Sequence, residues 1–430
     1  MWLRPAPSRC TPFAHLADYD VRVPLSRQQI YRRRRLTVFT GLAVVLGAVF
    51  YLPMTLLAPI SGVSALPVAY TAPVSTAASV NTPDYGASGI GMVGEPGLLG
   101  SAGSQEAIPI ASISKIISTL VVLDAHPIAA GESGDIITFT DEDVEIYYDY
   151  IAVNGSVKSV EAGMELSQRE VVELMLVGSA NNYANSLVSW AFGSEDDYVP
   201  AANAWLAEHG LTSTSVSDAT GMSPENVSTP TDLVALGKLA IADPLISEII
   251  AMKSVDVPDV GELDNTNKLL GVDGIDGIKT GTLDEAGACL LFSADVAVGS
   301  QTVTLVGVIL GGPDHGTVNK NVRTLLASAA EGLHEVTLAT AGQSFASYDT
   351  PWGEAANAVA TENSSVVVFS DTPVAAEVSP ASVSVAQAGN DAGEVVFTVG
   401  DKVIAVPLEL DSTIDDPGAW WRLTHPGELF

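Results

Sequence analysis

The most conspicuous feature of the hydrophobic pattern is a stretch with no pattern at all. LTVFTGLAVVLGAVFYLPMTLLA, Leu36–Ala58, is 23 residues without a charge, long enough to cross a bilayer as a helix. Residues 59–85 are rich in Ala, Pro, Ser, Thr and Val and have no helical period, which predicts an extended linker. Glycine-rich alternation in GASGIGMVGEPGLLGSAG predicts a hairpin. Apolar residues then cluster from Ile113 to Leu123 as a buried helix. REVVELMLVGSANNYANSLVSWAF reads as helical on both sides of a break at Gly178-Ser179, and YVPAANAWLAEHGL as an amphipathic helix stopping at Gly210. TPTDLVALGKLAIA opens with a capping threonine or aspartate ahead of an apolar face. Beyond Gly277 the spacing changes: ACLLFSADVA and QTVTLVGVILGG predict strands, and VNKNVRTLLASAAEGLHEV a helix packed on them. From about Gly342 the segments SSVVVFSDTPV, ASVSVAQ, GEVVFTV and KVIAVPLEL are short, Val-rich and divided by turn residues, as in a small all-β domain.

Length and charge refine this outline. A chain of 430 residues, 47% apolar, holds two or three domains with real cores. Residues 1–35 carry eight arginines and two aspartates, which leaves 11 basic against 49 acidic residues, near −38, for the remainder. So acidic a body would repel phosphates, which excludes nucleic acid as a partner. The run Arg32–Arg35 directly before the apolar stretch predicts a cytoplasmic N-terminus, with everything after residue 58 outside. The alternative is a secretory signal cleaved near Val63-Ser64-Ala65; the length of the apolar run favours an uncleaved anchor. The expected organisation is therefore a basic cytoplasmic tail (1–35), a transmembrane anchor (36–58), a linker (59–85), a mixed α/β domain (86–335) and a β-rich domain with its tail (336–430). Cys10 and Cys289 fall on opposite sides of the membrane in this scheme and should not pair; Cys289, within ACLLFSA, reads as a buried strand residue.

Candidate chemistry begins at AIPIASISKIIS, residues 107–118. Of eight lysines only Lys115 has a serine three residues before it, Ser112. At a helix start, positions i and i+3 share a face, so hydroxyl and amine can meet. A neutral lysine can take the serine's proton, and burial with a neighbouring cation would keep it neutral. Ser114 and Ser118 lack this arrangement. Two further triplets join it: Ser179-Ala180-Asn181 interrupts a helix, and Lys279-Thr280-Gly281 leads into a strand, where the glycine would let a substrate backbone approach. No metal or cofactor is expected. The six histidines have no H-E-x-x-H spacing, and the acidic run Asp141-Glu142-Asp143-Glu145 lacks the spacing of a calcium loop. The pair Trp420-Trp421 could face a membrane interface or pack on the β domain.

S-x-x-K, S-x-N and K-T-G in this order resemble the penicillin-binding serine peptidases, and more narrowly the low-molecular-weight D-alanyl-D-alanine carboxypeptidases. PIASISK (109–115), TGMSPENVSTPTDL (220–233), NTNKLL (265–270), DGIKTG (276–281) and LVGVILGG (305–312) carry the resemblance from about Gly86 to Leu333. It implies a β-lactamase/transpeptidase-like α/β (α+β) fold over 86–335, an antiparallel sheet flanked by helices with a helical subdomain. It also implies a peptidase that removes the terminal D-alanine of peptidoglycan stem peptides through an acyl-enzyme and is acylated by β-lactams. Position by position, the resemblance makes Ser112 the nucleophile, Lys115 its base and Ser179 a proton relay, with Asn181 holding substrate and lysine. Lys279 and Thr280 would bind the terminal carboxylate beside Gly281, and the N–H groups of Ser112 and Thr282 would form an oxyanion hole. Ala180 stands where many relatives have glycine, and Thr282-Leu283 where an aromatic residue or histidine is frequent. Relatives also place an arginine after the LVGVILGG-type strand; here His315, Lys320 and Arg323 are nearby and none fits clearly. The alternatives are a D,D-endopeptidase, a β-lactamase of the same fold, and a non-catalytic wall-binding scaffold.

Overall fold

The structure is a computed structural model that describes residues 26–129 and 131–430; Cys10 and most of the expected basic tail lie outside these residues. The first element is a 30-residue helix, Arg27–Leu56, opened by a reciprocal cap between Ser26 and Gln29. It begins ahead of the apolar run and takes in Arg32–Arg35. Among the described residues it is the one helix long and apolar enough to cross a membrane, a test that signal sequences also pass.

A five-stranded antiparallel sheet forms the centre of the next domain, in the order Ile275–Leu283, Gly287–Val298, Gln301–Gly312, Ala87–Met92, Gly100–Gly103. Its near-continuous apolar runs are explained by cover on both faces. Cys289, Leu291, Val306 and Val308 face the helical cluster, while Leu290, Phe292, Leu305 and Ile309 pack with Val318, Val322, Leu325 and Ala329 of the helix His315–Gly332. Within the cluster, Ser114–Ala125 is buried from Ser114 to Leu123, so any polar residue it carries is forced inside. Gln168–Leu176 is opened by a reciprocal Ser167–Glu170 cap, and Asn181–Phe192 follows it after the break at residues 177–180. Asp141–Glu142–Asp143 is the first turn of the helix Asp141–Ala152, where Asp143 accepts from the Thr140 N–H at 2.7 Å. Carboxylates are favoured there by the helix dipole, which accounts for the acidic run.

The long helix hands over at Leu333 to the strand Leu333–Ala339, paired with Ser364–Phe369. A second sheet runs Ser344–Asp349, Ala355–Ala360, Lys402–Leu410, Asp391–Val399, Val374–Pro380, with Leu66–Pro67 added at its edge. Phe345, Tyr348, Val395, Phe397 and Val406 lie in the core between these layers. The segment 59–85 is extended but fastened along its length. Val63 bridges Val383, the Val68 N–H donates to Phe345 O, that of Ala78 to Ser370 Oγ and that of Asn81 to Ser328 Oγ. Lys402 of the β domain pairs with Glu95 of the preceding one. The C-terminal helix Gly418–Thr424 lies against the first helix: Tyr51 donates to Leu423 O at 2.6 Å, and Arg422 to Ala58 O at 2.5 Å. Of the tryptophan pair, Trp421 packs edge-on against Trp352 of the β domain, while Trp420 is exposed.

Candidate active site

Ser112 sits in a short 3₁₀ turn, Ala111–Ile113, that runs straight into the helix Ser114–Ala125. Lys115 follows one turn on and is fully buried. Its Nζ lies 2.9 Å from Ser112 Oγ, 2.7 Å from Asn181 Oδ1 and 2.7 Å from the Thr220 carbonyl oxygen. An ammonium would donate to all three. A neutral amine donates to the two carbonyl oxygens and keeps its lone pair for the Ser112 hydroxyl proton. Burial, and then the charge of Lys279, hold the Lys115 amine well below the ordinary lysine range, with Asp218 opposing them. The neutral form is the one that can act as a base.

The other two serines of the motif are committed elsewhere. Ser114 donates to Ala111 O at 2.8 Å and accepts from Asn226. Ser118 donates to Ala219 O at 2.7 Å and meets the buried Tyr198 hydroxyl.

Ser179 occupies the break between two helices with a left-handed φ of 57°, a conformation a non-glycine residue adopts at a cost of roughly 1 kcal/mol. Lys279 Nζ donates to its hydroxyl at 2.9 Å and to Thr280 O at 3.2 Å. Lys279 is itself fully enclosed, and burial brings its amine down to about 7. An arriving carboxylate would favour the charged form and raise it again. Thr280 Oγ1 is 2.6 Å from Thr266 Oγ1.

Lys279–Thr282 lies on the outer edge strand of the sheet, the position at which an extended peptide can add as a further strand. Gly281 is needed for a reason internal to the protein: a Cβ there would fall 2.9 Å from Ile110 O and 3.3 Å from the Ser112 nitrogen. The glycine lets the strand lie against the turn that carries Ser112. That contact packs the strand Ile275–Leu283 against the turn Ala111–Ile113.

The structure thus joins Ser112, Lys115 and Asn181 in one hydrogen-bonded group, and Ser179, Lys279 and Thr280 in a second. Sequence reasoning missed the Thr220 carbonyl and the part played by His315. His315 Nε2 is 2.7 Å from Thr282 Oγ1; desolvation and then Lys279 lower its pKa, while Asp314 opposes them. Of the three cations considered after the LVGVILGG strand, Arg323 pairs with Asp273 at 2.6 Å, and His315 is the one hydrogen-bonded to a residue of the candidate site. Cys289 is buried with its thiol pushed up to about 11 by desolvation, a poor nucleophile.

Over residues 97–313, about half of its length, the sequence matches the D-alanyl-D-alanine carboxypeptidase family, and the chain belongs to that family. A D-alanyl-D-alanine endopeptidase of Pseudomonas aeruginosa is 30% identical over 204 residues, 44% of this chain and 60% of the relative. A D-alanyl-D-alanine carboxypeptidase of Bacillus subtilis is 26% identical over 197 residues, 44% of this chain and 49% of the relative. The chain therefore spans about half to three fifths of the length of these curated relatives. Among solved structures, a peptidoglycan synthesis regulatory factor (PBP3) of Streptococcus pneumoniae superposes with a TM-score of 0.59 at 19% identity, covering 80% of this chain and 100% of that one. Penicillin binding protein 5 of Haemophilus influenzae gives 0.56 at 19% identity, covering 81% and 100%. At such identity the likeness is one of fold.

Proposed function

We propose that the chain is a serine D,D-carboxypeptidase that removes the terminal D-alanine from peptidoglycan stem peptides and is acylated by β-lactams. The observation that carries this reading is the buried, neutral-leaning Lys115 amine set 2.9 Å from the Ser112 hydroxyl. Lys115 takes the Ser112 proton as Oγ bonds to the carbonyl carbon of the penultimate residue. The oxyanion is held by the N–H groups of Ser112 and Thr282. The C–N bond then breaks, and the proton passes through Ser179 to the departing D-alanine amine. Asn181 fixes both Lys115 and the substrate backbone. Lys279 and Thr280 hold the terminal carboxylate, and the edge strand at Gly281 pairs with the peptide. Water hydrolyses the acyl-enzyme and restores Ser112.

The apolar helix Arg27–Leu56 anchors the protein in the membrane with this domain on the outer side, where the wall peptides are. Ser112→Ala should abolish both labelling by a fluorescent penicillin and release of D-alanine from a model pentapeptide; retained labelling would sink the assignment. The endopeptidase names of relatives such as that of Pseudomonas aeruginosa favour a second reading, cleavage of cross-links. Faster turnover of a cross-linked peptide dimer than of the monomeric pentapeptide would select it.

A further inference from the structure

The segment 217–226, which overlaps the family-like stretch TGMSPENVSTPTDL (220–233), supplies no side chain to the chemistry described above. It contributes one atom to the candidate site, the Thr220 carbonyl oxygen, and a backbone oxygen is only as well placed as the turn that carries it. This turn is wound around a single carboxylate. Asp218 Oδ1 accepts the N–H of Thr220 at 2.6 Å, the N–H of Gly221 at 2.6 Å and the Thr220 hydroxyl at 3.0 Å, while Oδ2 accepts the Ser223 N–H at 2.5 Å.

The turn is also fastened to the nucleophile's own segment. Asn226 Nδ2 donates to Asp218 O and to Ser114 Oγ, each at 3.0 Å, and Ile110 donates its N–H to Asn226 O at 3.0 Å. Gly221, at φ +82°, lies so close to this segment that a Cβ would fall 1.9 Å from Ala111 O. Ala111, the residue before Ser112, has a left-handed φ of 47°. Side chains and backbone of the turn therefore set both partners of the reaction, the serine through Ala111 and the lysine through Thr220.

We propose that Asp218 is a positioning residue for Lys115: by gathering the Thr220–Ser223 turn it fixes the carbonyl that aims the Lys115 amine at Ser112. This rests on the reading of Lys115 as the base for acylation. Lys279 disfavours the ammonium form of Lys115, and Asp218 favours it. Behind the turn, Glu195 accepts the Ala219 N–H at 2.8 Å and the Ser118–Tyr198 pair meets the Ala219 carbonyl. Tyr150, its hydroxyl pushed up to about 12 by burial and then Glu195, adjoins Thr220. Asp218 thus holds Lys115 between two requirements: a firm acceptor for its N–H, and a pKa low enough to leave a lone pair.

The test is the pH dependence of acylation of the full chain by a fluorescent penicillin. Asp218→Asn puts an N–H donor where one carboxylate oxygen now accepts and removes the charge. Acylation should slow about tenfold near neutrality, less than the roughly hundredfold that a full 1 Å misplacement of a reacting group can cost. Because the charge favouring the ammonium is gone, the acid limb should move to lower pH. A carboxylate that only stabilised the loop would lower the melting temperature and leave that limb in place, which would overturn the proposal. Should Asp218→Asn fail to fold, Thr220→Val removes one of these four bonds, together with the Met222 N–H bond to the same hydroxyl, and keeps the charge. It should slow acylation severalfold with the acid limb unmoved, and an unchanged rate would overturn the proposal. Wild-type protein that penicillin does not acylate would refute the functional reading instead.

Discussion

The candidate active site and the C-terminal β domain bury polar groups in opposite ways. Around the candidate site, Lys115, Ser118, Asn181, Thr220, Asn226 and Lys279 are all buried. Across residues 336–430, Thr350 is the one buried polar side chain, and the core is Phe, Tyr, Val, Leu, Ile and Ala. Burying an amine costs several kcal/mol unless it gives up its proton. The first domain therefore carries a stability cost that the second does not, and it carries it where a neutral lysine is useful. The two regions teach that high apolar content alone does not separate a chemical domain from a structural one; the buried lysines do.

Three substitutions sharpen the contrast. Lys279→Met should have the largest effect, reducing acylation by at least about a hundredfold if Lys279 is the carboxylate-binding group proposed above. It should also stabilise the protein. With a folded-state pKa of about 7 against 10.5 unfolded, the unfolded chain binds the extra proton, so wild-type stability rises as pH climbs from 7 to 10.5. The variant should gain on the order of 3 kcal/mol at pH 7, and the gain should shrink toward pH 10. Denaturant melts at the two pH values check this, and an equal gain at both would contradict it.

Phe397→Ala in the β domain should do the reverse, costing about 3–5 kcal/mol by leaving a cavity while the folded fraction is acylated at the wild-type rate. A large fall in that rate would erase the distinction between the regions. His315→Ala should have the smallest effect, about threefold to tenfold slower turnover of the peptide. The loss should be greater at pH 6 than at pH 8: His315 has a lowered pKa, so its cationic form appears only on the acid side. Peptide turnover measured at both pH values reads this directly.

What could be read in the sequence was local. Ser112 and Lys115 are three residues apart on one helix start, Ser179 lies in a helix break and Asn181 opens the next helix, and Lys279 lies in a strand; each signal falls within a few positions. The Val-rich alternation likewise announced the β domain. The missing parts depend on distant pairings. Thr220 lies 105 residues from Lys115 and acts through its carbonyl, an atom every residue has. His315 reaches Thr282 only because the sheet folds back between them. Gly281 was legible as a close approach, but the approaching backbone is the protein's own turn at 110–112. The segment 59–85 has the composition of a free tether, and its fastening by strand-edge and serine hydrogen bonds leaves no mark in composition.

That fastening bears on reach. A free 27-residue tether would let the domain wander with a root-mean-square excursion of about 30 Å. Here the slack is taken up twice, by the strap along the β domain and by Tyr51 and Arg422, which close the chain on its first helix across 372 and 364 residues. The chain that carries Ser112 is thereby tied back to the end of that helix instead of hanging on a free tether. In the anchored carboxypeptidase proposed above, that tie would confine attack to peptides in one layer outside the membrane.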